Sequence, residues 1–229
     1  MPTSDISTKA PETADEAAKA ARSDARTTQL LRAATEVMQE RGAHATSMKL
    51  VAERAGVSVG LIYRYYANKD ELVQAVITGV LDQMAIEVPA SIAPVEDPVR
   101  RVAAGFTAYA EVIRDNRAAT LLTYRETGQL GPQARETVKQ LELKTGQPML
   151  QATREAIAAG YFRPMDARTY SYDLLIAAHS WALKHWYYTT RMSFETFVKT
   201  QISIHLYAGL KPAYYEAYSD LLLTDTIAD

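Results

Sequence analysis

Apolar residues first recur at helical spacing at Leu30, Leu31, Ala34, Val37 and Met38, a pattern that begins near Arg26 and stops at Gly42. Residues three and four apart share one helix face, so this spacing predicts a first helix closed by glycine. Thr46 or Ser47 then precedes Met48, Leu50, Val51, Ala52 and Ala55, and Gly56 follows. That is the signature of an N-capped helix of barely two turns. Ser58 can cap a third short helix through Tyr66. Asn68 can cap a fourth that starts at Lys69 and runs by Leu72, Val73, Val76, Ile77, Val80, Leu81 and Met84 to about Val88. Pro89, Pro94 and Pro98 mark a break, because proline disrupts helix interiors but suits loops and first turns. Beyond it the periodicity predicts helices over 97–115, 118–127, 132–159, 167–191 and 194–210, with Gly146 and Pro148 kinking or dividing the third of these. No strand-like alternation competes, so the expected fold is all-α.

The patterning also sets the organisation. Residues 1–25 carry almost no large apolar side chains and are expected to form a flexible arm, with marginal helicity over Ala14–Ala21 from alanine content alone. Residues 26–72 form a compact N-terminal unit, 73–212 a larger helical body, and 213–229 a tail that is aromatic and then acidic. The 229 residues are 48% hydrophobic, enough for a sizeable core. With no cysteine, disulfides, thiolate nucleophiles and Cys-ligated zinc are excluded. No secretion signal and no run of about 18 apolar residues is visible, so a cytoplasmic protein without a membrane partner is expected.

Net charge is −2, which suggests no polyanionic partner until it is resolved by segment. From Arg26 to Asp70 seven basic residues face four acidic ones, a local charge of +3. The same stretch contains AERAGVSVGLIYRYYANKDEL, a short helix, a glycine turn and a second short helix, which is the helix-turn-helix pattern. Ala52 allows close helix approach, Gly56 makes the turn, and Val57 and Ile62 are suited to lock the second helix in place. Its outward residues would be Ser58, Val59, Gly60, Leu61, Tyr63, Arg64 and Tyr65, groups suited to phosphates and base edges.

On Gly42, Thr46, Ser47, the run AGVSVGLIYRYY, the Asn68–Lys69 start and Leu72, residues 26–72 resemble the DNA-binding domain of the TetR family of bacterial regulators. Tyr66 stands where that family commonly has phenylalanine, and Ile62 where it commonly has leucine. The resemblance implies that Tyr63 and Lys69 contact phosphates, and that Val59, Leu61, Arg64 and Tyr65 face the major groove of double-stranded operator DNA. Thr46, Ser47 and Lys49, at the start of the second helix, would add a phosphate site. It further implies a homodimer formed by the last two long helices, through Ala178, Ala182, Phe197, Ile202 and Leu206. Half-sites would lie one helical turn or a multiple of it apart.

In the body, TLLTYRETGQL and HSWALKHWYY are similar to segments of TetR-type regulators of fatty-acid and sterol-derived acid catabolism. The family places a small hydrophobic effector among the helices after the long fourth one. Phe106, Tyr109, Ile113, Leu121, Leu122, Tyr124, Leu150, Trp181 and Trp186 are then candidate walls, with Arg125, Lys184 and His185 as polar anchors. An acyl-CoA thioester would need such cations and an apolar tunnel; a drug-like molecule or a free acid is the alternative. Arg125 could equally pair with Glu126 or Glu155, and Lys184 with Asp173 or solvent. His179, His185 and His205 lack metal-ligand spacing, and nucleophile elbow, P-loop and zincin motifs are missing, so neither metal, cofactor nor catalytic residue is expected. A helical enzyme acting on acyl thioesters is the remote competitor. The expected function is a ligand-responsive repressor of a palindromic operator.

Overall fold

The computed structural model describes residues 14 to 223, and the chain divides into two compact units between Leu72 and Val73. Ten α-helices are present among the described residues, which contain no strand beyond one isolated bridge between Phe162 and Leu210.

The first unit is built on α1 (Ala14–Arg41), α2 (Met48–Ala55) and α3 (Val59–Tyr65), with the first turn of α4 (Lys69–Ile92). Leu30, Ala34, Val37 and Met38 on α1 bury against Met48, Val51 and Ala52 on α2, and Ala52 is small enough for the two helices to meet closely. Gly42 and Gly56 take positive φ, +80° and +66°, which side chains other than glycine resist. The Gln29 amide on α1 donates to the Ala55 carbonyl at 2.6 Å, satisfying one of the orphan acceptors at the end of α2. Arg54 clamps the same pair of helices through Glu36 and Glu40, at 3.2 and 2.6 Å.

The arm expected over 1–25 needs correction where it is described. Residues 1–13 lie outside the described residues, but 14–25 continue α1 as helix, and 17–25 are exposed throughout. The costly step in helix formation is nucleation, already supplied by the packed part of α1, so alanine-rich sequence extends it without tertiary support.

The second unit is organised around α5 (Pro98–Asp115), whose Val99, Val102, Phe106, Ala110, Val112 and Ile113 are fully or almost fully buried. Against it pack α7 (Pro132–Ala158), α8 (Ala167–Leu183) and α10 (Phe194–Gly209), with α6 (Arg117–Glu126) alongside α8. The Ser171 hydroxyl meets Thr153 Oγ1 at 3.0 Å inside the α7–α8 contact, so both buried groups are paired.

Three boundaries differ from the periodicity. Pro89 lies inside α4, which runs one further turn to Ile92. α7 passes through Gly146 and Pro148 as one helix: its flanking Thr145, Met149, Leu150 and Ala152 are buried, and that burial outweighs the roughly 3 kcal/mol helix penalty of proline. The segment 167–191 instead breaks at Lys184, whose backbone (φ −120°, ψ 35°) is not helical, leaving the short α9 (His185–Thr189). The tail, expected as a separate segment from 213, is docked as far as Leu223. Tyr218 is buried and donates to the Asp97 carboxylate at 2.8 Å, and Asp220 pairs with Arg100 at 2.7 Å. Residues 224–229 lie outside the described residues.

By length and composition α4 would pass as a membrane span, with a mean hydropathy of 1.3. Its Val76, Ile77, Val80, Leu81, Met84 and Val88 are buried in the protein, while Asp82, Ile86, Glu87, Pro89 and Ala90 are exposed.

Truncating Phe106, which is wholly buried, removes the centre of the second unit. Phe106→Ala should lower unfolding free energy by about 3–5 kcal/mol in urea titrations, against about 1–2 kcal/mol for Gly56→Ala in the first unit.

Candidate nucleic-acid interface and ligand cavity

The recognition face follows from one buried anchor. Ile62 is fully buried, which fixes the rotation of α3, turns Gly60 and Arg64 to the opposite side and leaves Tyr63 exposed on the flank. Tyr63 is 52% and Val59 37% exposed, while Leu61 and Tyr65 are half-buried at the flanks. Ser58 caps α3 by accepting from the Leu61 amide at 3.2 Å, and Ser47 caps α2 by accepting from Leu50 at 3.2 Å. Both serines are exposed. Arg32, Lys49 and Arg54 have carboxylate partners in this unit, whereas no salt bridge involves Arg64 among the described residues. Its guanidinium therefore keeps its donors for an external partner.

One of the candidate DNA contacts needs correction, and a second also has partners within the unit. Thr46 is only 4% exposed, and its hydroxyl donates to the Gly42 carbonyl at 2.9 Å, so it braces the loop after α1. Lys69 folds its ammonium back onto that loop, donating to the Ala43 and His44 carbonyls at 3.2 and 3.5 Å. The orphan amides at the start of α4 are likewise engaged: Asn68 Oδ1 accepts from Glu71 N, and the Glu71 carboxylate accepts from Ala67 N at 2.7 Å. This is the reciprocal arrangement of a capping box.

The second unit holds a partly open cavity of about 260 Å³, with Tyr124, Tyr172 and Ile176 exposed at its mouth. Two helices present it with the same i, i+3, i+4, i+7 register: Thr120, Thr123, Tyr124 and Thr127 from α6 and the turn after it, and Tyr172, Leu175, Ile176 and His179 from α8. Tyr109 and Ile113 of α5, Val80, Leu81 and Met84 of α4, and Glu142 of α7 complete the wall. His179 lies between two tyrosines, with Nε2 3.0 Å from the Tyr109 hydroxyl and Nδ1 in a short contact with the Tyr124 hydroxyl. Burial drives the His179 pKa down to about 4 and raises those of both tyrosines and of Glu142. All three members of the chain are therefore neutral at pH 7.

Of the residues expected to hold an effector, Tyr109, Ile113 and Tyr124 are on this wall. Phe106, Leu122 and Leu150 are core side chains, and Trp181 is buried in a cluster with His185, Tyr188, Phe194 and Phe197. Leu121 lies off the wall, and Arg125, Lys184 and Trp186 are exposed away from it. His185 is half-buried beside Trp181. The physical reason is helix phase. Arg125 is one residue from Tyr124 but turned 100° around α6, and the break at Lys184 redirects everything after it. The wall residues missed include three threonines, whose TxxTYxxT spacing is legible once hydroxyls are read as lining rather than surface.

The proposed dimer residues are also corrected. Ala178, Ala182, Phe197, Ile202 and Leu206 are between 0 and 7% exposed within the single chain, so they already serve its own core. The outward apolar positions of the same helices are Ile176, Leu183 and Ile204.

A family model for bacterial regulatory proteins of the tetR family matches residues 30–76, and a tetracycline repressor-like C-terminal domain model matches 95–190. The chain is 34% identical over 171 residues to the HTH-type transcriptional regulator HbdR of Aromatoleum sp. (strain CIB), covering 75% of each. This chain belongs to the TetR family of transcriptional regulators. A second relative is the repressor KstR2 of Mycobacterium tuberculosis, 28% identical over 160 residues, covering 69% of this chain and 80% of KstR2. Among solved structures, AibR in complex with isovaleryl coenzyme A and operator DNA has the same fold. Its TM-score is 0.68 at 19% identity, covering 78% of this chain and 97% of AibR. Among the described residues of this regulator, no cluster of three metal-ligating side chains occurs.

Because His179 is neutral in the folded chain and titrates near its ordinary value of 6.5 when unfolded, the unfolded state gains a proton first as pH falls. Stability from this residue is therefore lost between about pH 6.5 and pH 4. Urea unfolding at pH 7 and pH 5 should differ by about 2 kcal/mol more in the wild type than in His179→Gln.

Proposed function

We propose that this chain acts as a homodimeric, ligand-responsive repressor. It reads palindromic operator DNA through α3 and releases it when a small hydrophobic effector fills the cavity of the second unit. The observation that carries the DNA half is the solvent-facing side of α3, where Tyr63 and Arg64 are exposed in a locally basic unit. Arg64 is suited to a bidentate contact with guanine O6 and N7, and Val59 or Leu61 to a thymine methyl. Tyr63, Ser47, Ser58 and Lys49 suit phosphates, which position without specifying. Dimerisation would use the outward face of α8 and α10, at Leu183 and Ile204. AibR, solved with both a coenzyme A thioester and operator DNA, supports a linked pair of sites in this fold. An acyl thioester would seat its acyl group in the cavity and keep its phosphates outside, because no arginine or lysine lines the wall.

Release then requires the effector to bind the DNA-incompetent arrangement of the dimer more tightly than the competent one, since equal affinity moves nothing.

Gel shifts on the DNA upstream of the chain's own coding sequence test the reading. A salt-sensitive, sequence-selective shift is expected, and its absence overturns it. Arg64→Ala should lose about 1–3 kcal/mol at particular operator positions and relax specificity there, whereas Tyr63→Phe should weaken all sequences alike. Identical behaviour of the two variants would refute the division of roles. Leu183→Glu combined with Ile204→Glu should convert dimer to monomer in light scattering; a retained dimer refutes that face.

A further inference from the structure

The chemistry of the cavity wall narrows what can occupy it, given the reading above that this cavity is the effector site. Glu142 is the only acid on the wall, no arginine or lysine lines that wall, and burial pushes its carboxyl pKa up. A carboxylate or phosphate entering past the mouth would lose part of its water, meet no counter-charge on the wall and face Glu142.

The polar groups that remain are few and can be counted. Tyr109, neutral His179 and Tyr124 hold three mobile protons between them, one on each hydroxyl and one on the ring. Their two mutual hydrogen bonds use two of these. One O–H donor is left over, on whichever tyrosine accepts from the imidazole. A second donor stands at the wall on Thr120, 3% exposed, whose buried hydroxyl has no partner among the described residues and would reach the cavity by turning about its own side-chain bond. A buried hydroxyl left unpaired costs about 1–3 kcal/mol, so a ligand oxygen that accepts from it recovers that loss.

We propose that the group seated here is uncharged and oxygen-bearing: an apolar ring or short chain carrying a carbonyl, ester, thioester or hydroxyl oxygen, and not a free carboxylate or a phosphate. The ligand oxygen accepts from Thr120 and from the free tyrosine hydroxyl, while a ligand hydroxyl can donate to Glu142. Size agrees: benzene occupies a cavity of about 150 Å³, so 260 Å³ takes a substituted ring or a short acyl group. The wall thereby separates an acid from its own ester or thioester, two forms that differ in charge and little in shape.

Titration calorimetry of the full-length protein at pH 7.5 with benzoate, methyl benzoate and benzyl alcohol tests this. The ester and the alcohol should bind at least tenfold more tightly than benzoate. Thr120→Val, an isosteric loss of the hydroxyl, should weaken the ester at least threefold, and Glu142→Gln should narrow the margin by letting benzoate gain. Circular dichroism melts establish that both variants are folded. If benzoate binds as well as the ester, and both variants alter that binding, charge selection is overturned while the cavity stands as the effector site. If the probes bind but neither variant changes any affinity, the ligand lies elsewhere and the inference fails. If none of the three binds while the protein still shifts its DNA, both the inference and the cavity as effector site fail, and the DNA-binding reading survives.

Discussion

A helix buried on nearly every side must find a partner for each polar atom it carries, and α5 sets that requirement for the whole second unit. Its Val99, Val102, Phe106 and Ile113 supply the apolar centre on which α7, α8 and α10 close. Tyr109 brings a hydroxyl into the same interior, and the partner it finds is His179 of α8. His179 in turn engages Tyr124 of α6. One polar atom in the core thus ties three helices together and fixes where they cannot pack tightly. The cavity is the space left around that chain of hydrogen bonds, and burial of His179 keeps its imidazole, like the two tyrosines, neutral at pH 7.

The first unit solves a smaller problem with different means. Two short helices cannot persist alone, and here both are capped at the N-terminus by serines that also remain exposed. The glycine after α2 sets the turn, and the single deep anchor at Ile62 sets the rotation of α3. Everything on the far side of that anchor is free to serve a partner. Charge follows the same division. Arginine and lysine residues that brace the unit are paired with glutamates, as Arg54 is, or folded onto carbonyls, as Lys69 is. Arg64 is committed to neither.

The reading-head elements were legible because local rules decide them. The caps at Ser47 and Ser58, the stop at Gly56 and the apolar register of α1 and α2 each involve residues within a few positions of one another. The cavity was only partly legible: Tyr109, Ile113 and Tyr124 could be named, but Arg125, Lys184, His185 and Trp186 could not be separated from them by residue type. Aromatic and basic side chains attract attention as ligand contacts, whereas Thr120, Thr123 and Thr127 resemble surface positions until the helix they line is seen to face inward. The small and apolar residues assigned to a dimer contact failed for a related reason. Ala178 and Phe197 are suited to any helix contact, and the chain uses them for its own.

What the sequence by itself determined is therefore the all-helical architecture, the helix-turn-helix with its caps and turn, the basic bias of that unit, and membership of the family that these residues signal. Periodicity, capping and charge are properties of neighbouring residues, so they survive without knowledge of the fold. Only the tertiary structure decided the rotation of each body helix, the break at Lys184, the docking of Tyr218 and Asp220, and the meeting of Tyr109, His179 and Tyr124 from positions 15 to 70 residues apart. Those outcomes depend on which face each helix spends on burial. That choice is made by the packing of the whole unit, and no local pattern contains it.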